Sequence, residues 1–194
     1  MILSKDIIKD DNPLLKEKSA DVEIPLSKED ENTLKEMIEY IFNSIDEEIS
    51  AKYDLRAAVG IAAPQIGVLK KMIVIYTFDE LGNEWFLPIV NPKIVSYSDE
   101  LAYLKTGEGC LSVDREVSGL VMRPKRTTFK GYIYDNGELV YKTIKLENYL
   151  SIVFNHEYDH LRGILFPDRI NKENPFFIPN NASPIKFEGE EDEK

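Results

Sequence analysis

The chain has 194 residues and a formal net charge of −11, with one cysteine and two histidines. One cysteine excludes an internal disulfide, and therefore a disulfide-built secreted scaffold, while a hydrophobic content of 43% is typical of a folded globule. The acidic balance disfavours broad electrostatic binding to DNA or RNA. No apolar run reaches the roughly 18 residues that a bilayer-spanning helix needs, so we expect a cytoplasmic protein without a membrane segment.

The acidic residues are concentrated at the two ends of the chain. Residues 1–50 carry a net charge of −8 and residues 188–194 carry −4, whereas residues 51–187 carry +1. The length fits one domain, which we predict over residues 1–187. We expect residues 188–194 to be an acidic, disordered tail.

An amphipathic helix is predicted near the N-terminus. Ser27 is a residue type favoured at the N-cap, and acidic residues follow it in the first turn. Apolar residues then recur at the three- and four-residue spacing of a helix that buries one face. These residues are Leu34, Met37, Ile38, Ile41, Phe42, Ile45 and Ile49.

Short strand-like segments separated by turn residues follow from about residue 57, and a second helix follows them. The strands are predicted from their β-branched and aromatic content, and the Asp-Asn-Gly turn at residues 135–137 indicates a hairpin. They are Met72–Phe78, Trp85–Val90, Lys93–Tyr97, Thr127–Tyr134 and Leu139–Leu146. The second helix is predicted from about Glu147 to Arg162, with Gly163 as its C-cap. This order predicts an α+β fold with antiparallel β-sheets packed around a central helix.

Both histidines lie in the segment His156-Glu157-Tyr158-Asp159-His160 of that second helix. Residues four positions apart lie on the same helix face, so the two imidazoles can bind one metal ion. Glu157 could then reach a water on that ion and act as its general base. The alternative is a structural helix whose histidines are partly buried and hydrogen-bonded.

The third ligand decides the class of reaction. A metzincin needs another histidine six residues after the second, where this chain has Phe166, so that class is excluded. A thermolysin-like zinc endopeptidase needs a downstream glutamate, for which Glu173 is a weak candidate. The remaining soft ligand is Cys110, which with two imidazoles would leave one tetrahedral position for water. A cysteine alone would more often be a small buried hydrophobe.

Residues 59–67 form a third unusual segment, Val-Gly-Ile-Ala-Ala-Pro-Gln-Ile-Gly. Its small side chains let another backbone approach closely, as in strand-addition recognition of a peptide. Gln65 could supply a side-chain N–H to an oxyanion. A tightly packed core strand would explain the same residues equally well.

Together the three segments resemble those of the peptide deformylase family. The matching positions are Ala58 to Gln65 for the glycine-rich box, Glu108 to Ser112 for the cysteine box, and His156 to His160 for the histidine helix. Ala58 departs from the glycine of the family pattern, and we expect only a local adjustment there. Thr106-Gly107 and residues 166–175 are similar to the longer form typical of Gram-positive bacteria.

The resemblance implies a metal-dependent hydrolase that removes the formyl group from the N-terminal formyl-methionine of nascent polypeptides and releases formate. It implies Cys110, His156 and His160 as ligands of Fe²⁺, for which Zn²⁺, Ni²⁺ or Co²⁺ can substitute. A metal-bound hydroxide would attack the formyl carbonyl, with Glu157 as general acid and base. Gln65 and the backbone N–H of Leu111 would donate to the oxyanion.

The substrate is expected to meet glycine near its formyl group and apolar side chains near its methionine. Gly60 and Gly109 are candidates for the first contact, and Ile152 and Val153 for the second, although ordinary helix-core packing explains the last two nearly as well. The expected partners are N-formyl-methionyl peptides of nascent chains, with transient ribosome contact, no DNA and no membrane. The chain is expected to be a monomer.

Two further predictions concern charged residues. Glu108 is predicted to pair with Arg123 and hold the cysteine loop. Arg123, Lys125, Arg126 and Lys130 are interpreted as basic residues exposed at a strand edge, with contact to ribosomal RNA as the alternative. A domain without catalytic activity stays as an alternative, in which a fourth protein ligand closes the coordination shell of a structural metal.

Overall fold

The computed structural model describes residues 1–187, so the predicted acidic tail at residues 188–194 lies outside the described residues. Within residues 1–187 the helices are α1 (Lys28–Ile45), α2 (Glu47–Tyr53) and α3 (Asn148–His160). The strands are β1 (Gly60–Ala62), β2 (Met72–Phe78), β3 (Glu84–Tyr97), β4 (Leu101–Tyr103), β5 (Arg123–Pro124), β6 (Arg126–Asp135), β7 (Glu138–Glu147) and β8 (Ala182–Pro184). Single-turn 3₁₀ helices cover Ser4–Asp6, Pro13–Lys16, Ala63–Ile66 and Phe166–Arg169. The predicted α+β class is confirmed.

The strands form two sheets. The larger has the order β1-β2-β3-β6-β7, and each neighbouring pair is antiparallel. The smaller has the order β5-β4-β8, in which β4 pairs antiparallel with β5 and parallel with β8. The antiparallel sheets predicted from the sequence are therefore present, with one parallel pair added by a strand near the end of the described chain.

The side chains of strand β2 show that α1 and α3 cover opposite faces of the larger sheet. Successive side chains of a strand point to opposite faces. Met72 and Val74 pack in one apolar cluster with α1, and Ile73 and Ile75 pack in another with α3. Since both faces are covered, this strand is a continuous apolar run without the alternation of a half-exposed strand.

Helix α1 begins where the sequence predicts. The Ser27 side chain accepts a hydrogen bond from the backbone N–H of Asp30 at 3.0 Å, which satisfies one of the unpaired donors of the first turn. Leu34, Met37 and Ile41 are completely buried on the side facing the sheet. Burial of these side chains gives the helix its orientation on the sheet.

The C-terminal end of α1 differs from the prediction. The apolar pattern predicts one helix continuing to Ile49, but α1 ends at Ile45 and α2 starts after Asp46, whose carboxylate accepts from two backbone N–H groups of the new first turn. Phe42 and Ile45 remain 40% and 48% exposed. Phe42 and Ile45 therefore lie outside the buried core, whereas Ile49, in α2, packs against the apolar cluster that contains Leu34 and Met37.

Strand β3 corrects a second prediction. Trp85–Val90 and Lys93–Tyr97 are predicted as separate strands, whereas the structure joins them in one strand with a shift of register against β6. Asn91 lies at the shift with φ of 51°, and its amide group exchanges two hydrogen bonds of 2.8 Å with the backbone of Val22. The polar residue between the two segments thus marks a β-bulge, not a break between strands.

The hairpin and the second helix follow the sequence closely. Strands β6 and β7 pair from Arg126 opposite Glu147 to Asp135 opposite Glu138, and Asn136 and Gly137 both have positive φ in the turn. The C-cap of α3 is Leu161, two residues before the predicted Gly163. Gly163 has φ of 72° in the turn that follows, and a Cβ atom there would lie 2.2 Å from the carbonyl oxygen of Lys16. Glycine is therefore required where the chain leaves the helix.

None of the helices within residues 1–187 combines the length and the apolar character needed to cross a membrane.

Candidate metal centre and substrate cavity

Helix α3 and the loop before β5 bring together the three predicted metal ligands. His156 and His160 lie one helical turn apart, with ring centroids separated by 5.2 Å. The Sγ atom of Cys110 lies 3.3 Å from Nε2 of His160. The ligand atoms of all three residues lie within 4.8 Å of one another, so the three side chains form one group that could hold a metal ion. Cys110 and His160 are buried, and burial lowers the pKa of His160 well below its ordinary value, so its imidazole is neutral as a ligand must be.

A buried carboxylate orients the other imidazole. Oε2 of Glu108 lies 2.8 Å from Nδ1 of His156, which leaves Nε2 of His156 for the metal. Arg123 donates to both oxygens of Glu108, at 2.6 and 2.9 Å. Burial by itself raises the pKa of Glu108, but the charge of Arg123 and the hydrogen bond with His156 outweigh it and lower that pKa to about 2. The predicted pair of Glu108 and Arg123 is thus present.

The same arginine corrects the prediction of an exposed basic edge. Arg123 is only 3% exposed and lies inside the molecule. Besides Glu108 it contacts Oδ2 of Asp159 at 2.9 Å. Arg126 is at the surface, where it pairs with Glu100. The four basic residues therefore do not form one continuous surface cluster, because one of them neutralises buried carboxylates.

Asp159 and Arg169 were not singled out from the sequence as parts of the site. Asp159 is buried beside His160, and Arg169 contacts both of its carboxylate oxygens, at 2.9 and 2.6 Å. The sequence does hold a sign of the role of Asp159, because this residue lies within the histidine motif, next to a proposed metal ligand. Arg169 had no such signal, because it lies in the 3₁₀ turn that follows α3.

Glu157 points into the same region from the middle of α3. Its side chain is buried against Gly60 of β1, where an added Cβ atom would lie 2.6 Å from Oε1 of Glu157. Oε2 has no hydrogen-bond partner within residues 1–187. Burial raises the pKa of Glu157 to about 7, so this carboxyl group can both accept and donate a proton near neutral pH.

Gln65 and Leu111 lie on the two segments that flank the ligand cluster. Oε1 of Gln65 accepts from the backbone N–H of Ala62 at 2.9 Å, which directs its amide nitrogen toward the cysteine loop. That nitrogen donates to Oγ of Ser112 at 3.2 Å and lies 3.5 Å from Sγ of Cys110. Two N–H donors, one from a side chain and one from the backbone of Leu111, thus lie next to the proposed ligands.

A cavity of about 320 Å³ opens beside these groups. Its lining includes every predicted substrate contact: Gly60, Gly109, Ile152 and Val153. Ile45, Arg56 and Leu104 also line it and were not predicted as site residues. Ile45 fitted the core pattern of α1, and neither Arg56 nor Leu104 belongs to a recognisable motif.

Phe166 and Glu173, the positions on which the two peptidase alternatives depend, lie outside the ligand cluster. Phe166, at the position of a metzincin histidine, is a buried side chain whose ring stacks on that of His156 at 6.1 Å. Glu173, the candidate for a thermolysin-like site, is exposed. Among residues 1–187, the converging group of ligand-type side chains consists of Cys110, His156 and His160.

Comparison with known proteins identifies one family. The family model for polypeptide deformylase matches residues 4–176. Peptide deformylase 2 of Bacillus anthracis and peptide deformylase of Oceanobacillus iheyensis are each 50% identical over 186 residues, which is 96% of this chain and 100% of each relative. These relatives confirm the resemblance to the Gram-positive type.

Solved structures show the same fold. A probable peptide deformylase from Synechococcus phage S-SSM7 has a TM-score of 0.65 and 33% identity, covering 84% of this chain and 98% of that one. A Met-Ala-Ser-bound class I type b peptide deformylase from Acinetobacter baumannii has a TM-score of 0.66 and 26% identity, covering 84% of this chain and 96% of that one.

Proposed function

The chain belongs to the polypeptide deformylase family, whose members are metal-dependent hydrolases that remove the formyl group from nascent peptides, and we propose which of its residues perform each part of that reaction. The observation that carries the proposal is the convergence of Cys110, His156 and His160 within 4.8 Å, with Glu157 buried beside them. The roles below follow from the positions and partners of these side chains.

Cys110, His156 and His160 would hold one divalent ion. The donor set fits such an ion, because one sulfur and two imidazole nitrogens converge while Glu108 engages the remaining nitrogen of His156. When bound, the ion lowers the pKa of water and polarises a carbonyl oxygen. From the resemblance to the family we infer Fe²⁺ as the native ion. Zn²⁺, Ni²⁺ or Co²⁺ could take its place, since all four accept thiolate and imidazole ligands.

Glu157 would move the protons. Its carboxylate takes a proton from the attacking water as the new C–O bond forms at the formyl carbon, and then gives a proton to the amine nitrogen as the C–N bond breaks. Formate and a free N-terminal amine result. A pKa near 7 suits both steps, and the oxygen of Glu157 without a partner within residues 1–187 is available to the water.

Gln65 and Leu111 would stabilise the negative charge that develops on the formyl oxygen. The side-chain N–H of Gln65 is already directed toward the cysteine loop by its bond to Ala62. Donors held in place before the reaction need no rearrangement when charge develops, and removal of one such donor typically costs about 100- to 1,000-fold in kcat.

The cavity would bind the formyl-methionine end of the peptide. Gly60 and Gly109 line the cavity beside the ligands, where the small formyl group would lie, and Ile152 and Val153 supply an apolar wall for the methionine side chain. We further propose that the substrates are the N-formyl-methionyl ends of nascent chains, met in the cytoplasm during transient ribosome contact by a monomeric protein of one domain.

Formate release from formyl-Met-Ala-Ser tests the proposed function. The protein is purified with reductant and without oxygen, loaded with Fe²⁺, Ni²⁺ or Co²⁺, and compared on acetyl-Met-Ala-Ser, which should not be hydrolysed. Cys110→Ser should impair metal binding or activity, whereas a peptidase using a glutamate ligand would keep its metal. Lack of formate release by all three loaded forms would contradict the proposal.

A further inference from the structure

Three consecutive residues near the N-terminus contact both segments that carry the proposed oxyanion donors. The backbone N–H of Ile8 donates to the carbonyl oxygen of Gln65 at 2.8 Å, and that of Asp10 donates to the carbonyl oxygen of Ser112 at 2.9 Å. Between them, Nζ of Lys9 donates to the carbonyl oxygen of Leu111 at 3.0 Å. Residues 8–10, which we call the N-terminal strap, therefore join two segments that are far apart in sequence.

Lys9 makes the side-chain contact of the strap and is itself held in place. Its ammonium group also pairs with Oδ1 of Asp114 at 2.9 Å, so it bridges that carboxylate and the carbonyl of Leu111. The hydrogen bond to Leu111 spans 102 positions of sequence and is partly buried. A charged donor on a carbonyl is stronger than a neutral one, so this contact restricts the Leu111–Ser112 peptide, which directly follows the peptide that carries the Leu111 N–H.

The other side of Leu111 is restrained from within the site. The backbone N–H of Ser112 lies 3.4 Å from Sγ of Cys110, and Oγ of Ser112 accepts from the amide of Gln65. The cysteine loop is thus restrained by Cys110 and Gln65 on the inside and by the strap on the outside. Oxyanion donors contribute most when their direction is fixed before the reaction.

We propose that the N-terminal strap sets the position of Leu111 relative to Gln65, and that Lys9 is a positioning residue for deformylation. Lys9 acts through the Leu111 backbone, so its removal should slow the chemical step while substrate binding is kept. The inference rests on the proposed roles of Gln65 and Leu111 as donors.

Lys9→Met in the full, metal-loaded chain tests the strap, because methionine keeps an unbranched stem but lacks the donor. With formyl-Met-Ala-Ser we expect kcat to fall about three- to tenfold, less than for loss of a whole donor, and KM to stay within about twofold. Lys9→Arg, which keeps a charged donor, should restore most of kcat. If Lys9→Met does not fold, Lys9→Leu, which also lacks a side-chain donor, carries the same comparison.

Lys71→Met is the matched control. The side chain of Lys71 is 35% exposed against 39% for Lys9, and it also pairs with an aspartate, Asp21, at 2.6 Å. The kcat of Lys71→Met should equal that of the unmodified chain. Melting temperature and metal content, measured on every variant, identify a loss that comes from unfolding or metal release.

The outcomes distinguish a failure of the strap proposal from a failure of the proposed function. If the unmodified chain releases formate and Gln65→Ala loses about 100-fold or more in kcat, the proposed donors stand. An unchanged kcat in Lys9→Met, a loss confined to KM, an equal loss in Lys71→Met or no recovery in Lys9→Arg would then overturn the strap alone. If Gln65→Ala keeps full activity, the donor assignment itself fails.

Discussion

Helices α1 and α3 pack on opposite faces of the same sheet, but their buried faces differ in chemistry. The buried face of α1 is mostly apolar, and Asp30 in its first turn reaches a partner, Lys70, that is near the surface. The last turns of α3 bury Glu157, Asp159 and His160. An apolar face needs only matching volume, whereas buried ionisable groups need specific partners. Substitutions in α3 and its partners should therefore have larger effects than those in α1.

The largest effect should come from Glu157→Gln. Glutamine keeps the size of the side chain but cannot carry a proton between water and amine, so kcat should fall by about 100- to 10,000-fold. Metal content should stay near that of the unmodified chain. Formate release and metal analysis measure both, with the exposed Glu138→Gln as control. Full formate release by Glu157→Gln would contradict the role of Glu157 as general acid and base.

Arg123→Met tests whether the buried charges beside α3 depend on their partner. The change leaves Glu108 and Asp159 without their shared cation, and the free energy of unfolding should fall by about 3 kcal/mol, at the low end for a broken buried pair because Arg169 still contacts Asp159.

Denaturant titration measures that loss, with Arg126→Met as the matched control. Arg126 pairs with Glu100 at the surface, so the control should lose at most about 1 kcal/mol. Equal losses of unfolding free energy in the two variants would contradict the prediction that the buried charges beside α3 depend on Arg123.

Gly60→Ala tests the close contact between α3 and β1. The new methyl group would lie 2.6 Å from Oε1 of Glu157, so the carboxylate must move and kcat should fall by about tenfold. Gly109→Ala is the contrast, since its nearest atom, Nη2 of Arg56, lies 3.9 Å away. We expect steady-state kinetics to show the larger kcat loss at Gly60, and the reverse order would contradict this.

The smallest effect should come from Ser27→Ala at the start of α1. Loss of the acceptor for the Asp30 N–H should lower the free energy of unfolding by about 1 kcal/mol. Activity should not change, because the residue is remote from the cavity lining. Ser27→Thr keeps a hydroxyl acceptor and should remain close to the unmodified chain in the same denaturant titration. A large activity loss in Ser27→Ala would contradict the prediction that substitutions in α1 have smaller effects than those in α3.

The sequence by itself determined the features that depend on local geometry. Two histidines four residues apart share a helix face wherever that helix lies, and an Asp-Asn-Gly turn between β-branched segments closes a hairpin in almost any context. Cys110 and Gln65 were found because each lies in a short segment of unusual composition, and because the segments together resemble one family. Each of these motifs is short by itself, with its residues within about ten positions of one another.

The tertiary structure decided which distant residues meet. Arg123, Asp159 and Arg169 form one buried cluster, Ile45 turns from the core pattern to the cavity wall, and Lys9 reaches Leu111 across 102 positions. Such contacts have no fixed spacing in sequence, because a hydrogen bond or ion pair depends on where the packed sheet places its two ends. Spacing and local composition therefore predicted the ligands and the helices, and tertiary packing determined which residues orient them.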